Sequence, residues 1–199
     1  LANALESIGV GKGDRVLWLG QNSSRILEGL LACASIGAMI CPINWRQSAH
    51  EMAFVIDDFT PKAVFWQDLE IGHAVREARA LAKHQAAHWY KADEDEGGAE
   101  YEAFLNSGTD VDRDRDVSPH EPVLVVYTAA FFGTPNGAML SQNAILHQDL
   151  CVQQTQAITN RTVFLNSGPM FHVGTLMFTL ATFHAGGTNV FVRRTEPEE

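Results

Sequence analysis

Tyr127-Thr128-Ala129-Ala130-Phe131-Phe132-Gly133-Thr134-Pro135-Asn136-Gly137-Ala138-Met139-Leu140-Ser141 leaves an apolar run, Pro122 to Thr128, and feeds a patterned segment, Ser141 to Ala157. The run reads as a buried strand and the segment as a helix, with Ser141 as its N-cap because a serine hydroxyl accepts from a free N–H of the first turn. Successive free N–H groups in a turn beside a helix N-terminus make an anion-binding nest. Gly133 and Gly137 permit backbone conformations and close approaches that larger residues block. Spacing alone leaves two readings open: a nest of this kind, or an ordinary strand-to-helix connection with Pro and Gly as turn residues. The Walker pattern GxxxxGK[ST] is absent.

Outward from this loop, apolar runs and helical patterns alternate. Arg15–Leu19 reads as a strand, Ser23–Ile36 as a helix with Ile26, Leu27, Leu30, Leu31 and Ala34 on one face, and Ala38–Ile40 as a short apolar run stopping at Cys41-Pro42. Ser48-Ala-His-Glu51 is a capping box, in which the Ser and Glu side chains satisfy each other's free N–H groups. Its helix ends before Pro61. A strand at Lys62–Trp66, a helix at Leu69–Lys83, a strand at Ala86–Tyr90 and a short helix at Glu100–Asn106 follow. Past the loop, Thr162–Leu165 and Thr188–Val192 read as strands around a helix at Gly174–His184. This order predicts an α/β fold, a mainly parallel sheet flanked by helices. Such sheets bind ligands at the carboxyl ends of their strands, which is where the quoted loop sits.

The 199 residues carry a net charge of −10, which argues against a nucleic-acid binder that works by neutralising phosphates. Apolar residues make up 46%, enough for a sizeable core, yet no uninterrupted apolar stretch is long enough for a membrane span. The charge is local: residues 93–116 hold ten acids and two bases, and the rest of the chain 14 acids and 12 bases. An acidic surface segment at 93–116, within a single unit spanning 1–199, is the expectation. Cys33, Cys41 and Cys151 form no CxxC pair, and Cys33 and Cys151 fall in apolar helical patterns, where a free thiol behaves as a small buried hydrophobe. With no signal peptide, this predicts a reducing, cytoplasmic location. The chain opens at Leu1 without an initiator Met and ends on Glu196-Pro197-Glu198-Glu199, so a fragment is expected.

With Tyr127, Thr128, Gly133, Pro135, Gly137 and Ser141 in register, the loop resembles the signature Tyr-Thr-Ser-Gly-Thr-Thr-Gly-x-Pro-Lys-Gly of the AMP-forming, adenylate-forming enzymes. Gly9-Val-Gly-Lys-Gly-Asp-Arg-Val16, Asn22-Ser23, Ala32–Ala38, Pro42-Ile43-Asn44, Pro169-Met170-Phe171-His172-Val173-Gly174 and Gly186-Gly187-Thr188 are similar to further segments of that family, so the likeness runs along nearly the whole chain. It implies the N-terminal part of the large acyl-adenylate-forming domain, of the acyl-CoA synthetase type. The full enzyme would activate a carboxylic acid, of fatty or other apolar type, with ATP and Mg²⁺ to acyl-AMP, then pass the acyl group to coenzyme A. Small molecules are its implied partners, with a homodimer admitted. The resemblance assigns the ATP phosphates to Thr128, Ala129, Ala130, Phe131, Phe132, Gly133, Asn136 and Gly137. It makes His172 the catalytic residue beside the reacting carboxylate, and lines the acyl pocket with Met170, Phe171, Val173 and Gly174. The family's later motifs lie beyond residue 199, so the 199 residues alone are expected to be inactive.

The loop departs from the family where it would grip phosphate. Ala129-Ala130-Phe131-Phe132 replace Ser-Gly-Thr-Thr, and Asn136 replaces Lys. A charge-assisted contact is worth roughly 1.5–3 kcal/mol and a hydroxyl hydrogen bond about 0.5–1.5. A site either retuned or lost is therefore implied, and a non-catalytic relative that binds an acyl ligand or a protein partner is the alternative. Two other motifs are weaker. His84 and His88 have the i, i+4 spacing of two ligands on one helical face but lack an obvious third, so a surface pair is favoured. Gly9, Gly11 and Gly13 follow a helix and precede a strand, the wrong order for a dinucleotide loop and the right one for a helix C-cap and turn.

Overall fold

The computed structural model describes residues 1–94, 98–129 and 133–193. Its elements in chain order are α1 (Ala2–Ser7), β1 (Arg15–Leu19), α2 (Ser24–Ile36), β2 (Met39–Pro42), α3 (Ala49–Phe59), β3 (Ala63–Trp66), α4 (Gly72–Leu81), β4 (His88–Lys91), α5 (Ala99–Ser107), β5 (Pro122–Tyr127), β6 (Gly137–Ser141), α6 (Gln142–Gln156), β7 (Val163–Asn166), α7 (Val173–His184) and β8 (Thr188–Phe191). Six strands form one sheet in the order β4-β3-β1-β2-β5-β6. All its pairs are parallel except β5–β6, which is antiparallel. β7 and β8 make a separate parallel pair.

Alternation along each strand divides the core in two. Val16 and Trp18 of β1, Ile40, Phe65 and Leu124 face a core shared with α1, α2, α5 and α7. Leu17 and Leu19, Cys41, Val64, Trp66 and Val125 face the other core, under α3 and α4. Both faces are covered, as parallel strands made of continuous apolar runs require. The caps follow the sequence: the Ser48 hydroxyl accepts from Glu51 N–H, and the Glu51 carboxylate accepts from Ser48 N–H at 2.8 Å. Gly9 and Gly13 adopt φ of +81° and +80°, the turn between α1 and β1 that their order predicts.

Four features differ from expectation. Gly137–Ser141 is not part of a simple loop into a helix but an edge strand paired with β5, with Tyr127 opposite Gly137 and Pro122 opposite Ser141. Cys151 is exposed, because α6 turns Asp149 and Val152 inward, whereas Cys33 and Cys41 are buried free thiols. His84 lies beyond the end of α4, with its Nε2 2.8 Å from the Pro61 carbonyl, and His88 belongs to β4, so the two share no helical face. The acidic stretch is not uniformly solvated. Asp93 is buried and accepts from Asp68 N–H (2.9 Å) and Leu69 N–H (3.2 Å), and Tyr101 and Phe104 of α5 enter the core.

Candidate functional site

The quoted loop starts at the carboxyl end of β5, where the strand's last side chain is tied down. Tyr127 Oη donates to Asp58 Oδ2 at 2.5 Å, and partial burial together with this carboxylate raises the phenol's pKa. One residue on, Thr128 N–H donates to the Asn136 carbonyl at 2.9 Å, while the Thr128 hydroxyl accepts from Asn136 N–H at 3.3 Å. The two ends of the loop are thereby tied to each other. Gly133 sits at φ +78°, a conformation that strains any residue with a Cβ. Gly137 is needed for a different reason: a Cβ there would lie 2.9 Å from Val125 Cγ1, so the return strand could not approach β5. Ser141 caps α6, its hydroxyl accepting from Ala144 N–H at 3.2 Å. Ala130, Phe131 and Phe132 lie outside the described residues.

The second arm of the site comes from the segment before α7. His172 is the N-cap of that helix, and its Nδ1 accepts from Gly174 N–H at 3.0 Å. An accepting Nδ1 puts the proton of the neutral ring on Nε2. Gly174 fits this arrangement, since a Cβ there would lie 3.0 Å from His172 Nδ1. The segment is anchored by Asn22, in the turn between β1 and α2, whose side chain is buried among backbone groups. Its Oδ1 accepts from Met170 N–H at 2.8 Å, and its Nδ2 donates to the carbonyls of Gly168 (2.8 Å), Asn166 (3.1 Å) and Val192 (3.2 Å). Asn22 therefore joins the six-stranded sheet to the β7–β8 pair.

Between the two arms lies a cleft of about 610 Å³. Val126, Tyr127, Thr128, Ala129, Ala138 and Leu140 form one wall, Phe171, His172 and Val173 another, and Pro42, Ile43, Asn44 and Gln47 after β2 a third. The structure thus brings Thr128 and Ala129 together with Phe171, His172 and Val173. Gly133, Asn136 and Gly137 shape the loop without lining the cleft, and Gly174 supports His172 from behind. Met170 is fully buried in the first core, because its N–H is bound by Asn22 and its side chain turns away from the cleft. Asn44 and Gln47 were not among the sequence candidates; the strand exit at Pro42-Ile43-Asn44 was the signal for the first, and nothing in the sequence marks Gln47. Its Oε1 is buried without a hydrogen-bond partner.

Among the described residues, no Asp, Glu, Lys or Arg lines the cleft. An anion entering it would meet backbone N–H groups, amide side chains, the His172 ring and the N-terminus of α7, whose dipole favours negative charge. Among the described residues no group of three or more His, Cys, Asp or Glu side chains gathers to hold a metal, and no helix is long and apolar enough to cross a membrane.

The mostly parallel sheet flanked by helices matches the fold of the N-terminal domains of adenylate-forming enzymes. The family model of AMP-binding enzymes matches residues 1–199, and the chain belongs to that family. It is 34% identical to an indoleacetate–CoA ligase of Aromatoleum aromaticum over 96% of this chain and 37% of that protein. It is 30% identical to a fatty acid–[acyl-carrier-protein] ligase, ScoC, of Streptomyces coeruleorubidus over 97% of this chain and 36% of that one. Among solved structures it is similar to a Mycobacterium tuberculosis fatty acyl CoA synthetase, with a TM-score of 0.84, 24% identity, and coverage of 98% of this chain and 37% of that chain. The chain therefore spans 36–37% of the length of these curated relatives.

Proposed function

We propose that the full-length protein carrying this chain is an AMP-forming acid–thiol ligase. It activates an apolar carboxylic acid, of fatty or aromatic type, with Mg·ATP to acyl-AMP and then forms acyl-CoA. The observation that carries this is the convergence of Thr128 and Ala129, at the start of the loop, with His172 on one cleft. The relatives support it, since those named above act on indoleacetate and on fatty acids. In this reading the loop, including Ala129 to Phe132, cradles the triphosphate, and His172 stands beside the carboxylate that attacks the α-phosphorus. Phe171 and Val173 border the acyl group. Catalysis at such a site is mostly positioning and charge neutralisation. Among the described residues no Lys or Arg lines the cleft, so within this chain the backbone donors, together with the Mg²⁺ that would accompany ATP, take that role.

The same reading makes residues 1–199 a partial unit, unable to complete the reaction alone, and places the protein in the cytoplasm, where the free thiols Cys33, Cys41 and Cys151 stay reduced. ATP–pyrophosphate exchange by the full-length protein, with Mg²⁺ and a panel of short, long and aromatic acids, tests it. Acid-dependent exchange supports the ligase, and the best acid names the substrate class. Folded protein that exchanges with no acid favours the second reading, a non-catalytic binder, which the replacement of the loop's hydroxyls and lysine motivates.

A further inference from the structure

Two acids, Asp57 and Asp58, sit in the last turn of α3, which carries no basic residue. The carbonyl end of a helix disfavours negative charge. Local preference therefore does not put them there, and each makes a specific bond instead. Asp57 Oδ1 accepts from His84 N–H at 2.7 Å, which fixes the chain beyond α4. Asp58 Oδ2 accepts from Tyr127 Oη at 2.5 Å, across 69 positions of sequence. An O–H to carboxylate bond of this length is of the charge-assisted, stronger kind.

What Asp58 holds is the stem of the loop. Tyr127 is the last residue of β5, pairs with Gly137 at the start of β6, and lines the cleft. Its ring lies over Gly137, where a Cβ would stand 3.5 Å from Tyr127 Cε2 and Cζ. The residues next along the two strands are Thr128 and Asn136, the pair that ties the ends of the loop together. One ring thus touches both strands where the loop leaves and returns. The ring packs against the core under α3 and α4, and the carboxylate fixes its tip. Asp58 is not a wall of the cleft, so it acts there only through Tyr127.

We propose that Asp58 is a positioning residue for the nucleotide: through Tyr127 it sets how the loop leaves β5, and so where the loop's N–H donors meet the triphosphate. The proposal rests on the acid-activating reading of the cleft and adds to it a residue outside the loop. Positioning weighs heavily in this chain because residues 129–136 offer one hydroxyl, that of Thr134, and no cation. A cation attracts phosphate at a distance and from many directions, whereas an N–H donor works only at hydrogen-bond length and angle. A loop that relies on backbone donors needs its stem held.

The test is ATP–pyrophosphate exchange by the full-length protein, with Mg²⁺ and the best acid of the panel, read as separate KM values for ATP and for the acid. Tyr127→Phe keeps the ring and loses the bond; Asp58→Ala loses the same bond from the other side. Each should raise the KM for ATP by about five- to tenfold, the size of one hydrogen bond, and leave the KM for the acid within about twofold. The double variant should be no worse than either single one. Asp58→Asn, which keeps an acceptor oxygen for the phenol, should recover most of the loss. Melting temperatures of the same proteins separate the roles, since a bond that only stabilises the fold lowers them and leaves both KM values alone. That outcome, additive effects in the double variant, or equal rises in both KM values overturns the positioning role and leaves the activation reading intact. Absence of exchange with any acid by the unaltered protein overturns both.

Discussion

Thr128 and Asn136 bind each other twice, through Thr128 N–H to the Asn136 carbonyl at 2.9 Å and through Asn136 N–H to the Thr128 hydroxyl at 3.3 Å. Both contributions of Asn136 come from its backbone. Its exposed side chain is therefore free to change without opening the loop. Asn136→Lys should keep the loop closed and add a cation beside the phosphates. A charge-assisted contact of about 1.5–3 kcal/mol predicts a KM for ATP lowered by roughly 10- to 100-fold in the exchange assay. Thr128→Ser should leave that KM unchanged, and Thr128→Val should raise it. A lysine variant with the same KM for ATP as the unaltered protein would place the phosphates elsewhere.

His172 has two separable roles, a cap and a ring. Its Nδ1 accepts from Gly174 N–H, as an Asn or Asp side chain does at a helix N-cap. His172→Asn should therefore hold α7 with little loss of stability while removing the imidazole from the cleft. His172→Ala loses both and should cost about 1 kcal/mol in unfolding free energy. Both variants should lose acid-dependent exchange to a similar degree. Exchange that survives in His172→Asn and falls only in His172→Ala would reduce the histidine to a structural cap.

The sequence made most of this frame legible because its strands are continuous apolar runs and its caps are chemically explicit, as at Arg15–Leu19 and Ser48–Glu51. β6 escaped because Gly137-Ala-Met-Leu-Ser has neither β-branched residues nor alternation. It is an edge strand because β5 lies beside it and Gly137 lets it approach. α6 misled for a related reason: Leu146, Leu150 and Cys151 form an apolar stripe, but the face that packs carries Asp149 and Val152. At the site, Thr128, Ala129, Phe171, His172 and Val173 followed from the family motifs. Met170 did not, because no pattern in Pro169–Gly174 distinguishes a side chain facing the core from one facing the cleft. That distinction is made by Asn22, nearly 150 residues earlier in the chain.

The elevated pKa of Asp149 fixes a sign for stability against pH. Unfolded, its carboxyl titrates near the ordinary value of about 3.9, and folded it titrates at about 6, with burial the larger cause. Between these values the folded state holds a proton that the unfolded state has released. Stability should therefore fall as pH rises through roughly 4 to 6, by an amount on the order of 2 kcal/mol, and change little from this source above 7. Asp149→Asn removes the term. The gain in melting temperature of the variant over the unaltered protein should grow across that window and then level. A gain that is constant from pH 4 to pH 8 would show that the carboxyl titrates normally in the fold.

Asn22 allows the sharpest stability test, because each of its two side-chain ends has a fixed role. Its Nδ2 donates to carbonyls of Asn166, Gly168 and Val192, and its Oδ1 accepts from Met170 N–H. Asn22→Ala leaves these buried groups unpaired and should cost about 2–4 kcal/mol. Asn22→Asp keeps the acceptor for Met170 but turns a carboxylate oxygen toward three carbonyl oxygens, so at neutral pH it should cost more than alanine. Protonating that carboxyl restores a donor. Its folded pKa should therefore lie above the unfolded value, and the Asp variant should regain stability as pH falls, approaching the alanine variant or passing it near pH 5. Denaturant unfolding of the three proteins at pH 5 and pH 8 measures this. If the aspartate variant tracks the alanine variant at both values, the three carbonyls are not held by Asn22, and the segment that presents His172 is anchored by something other than this side chain.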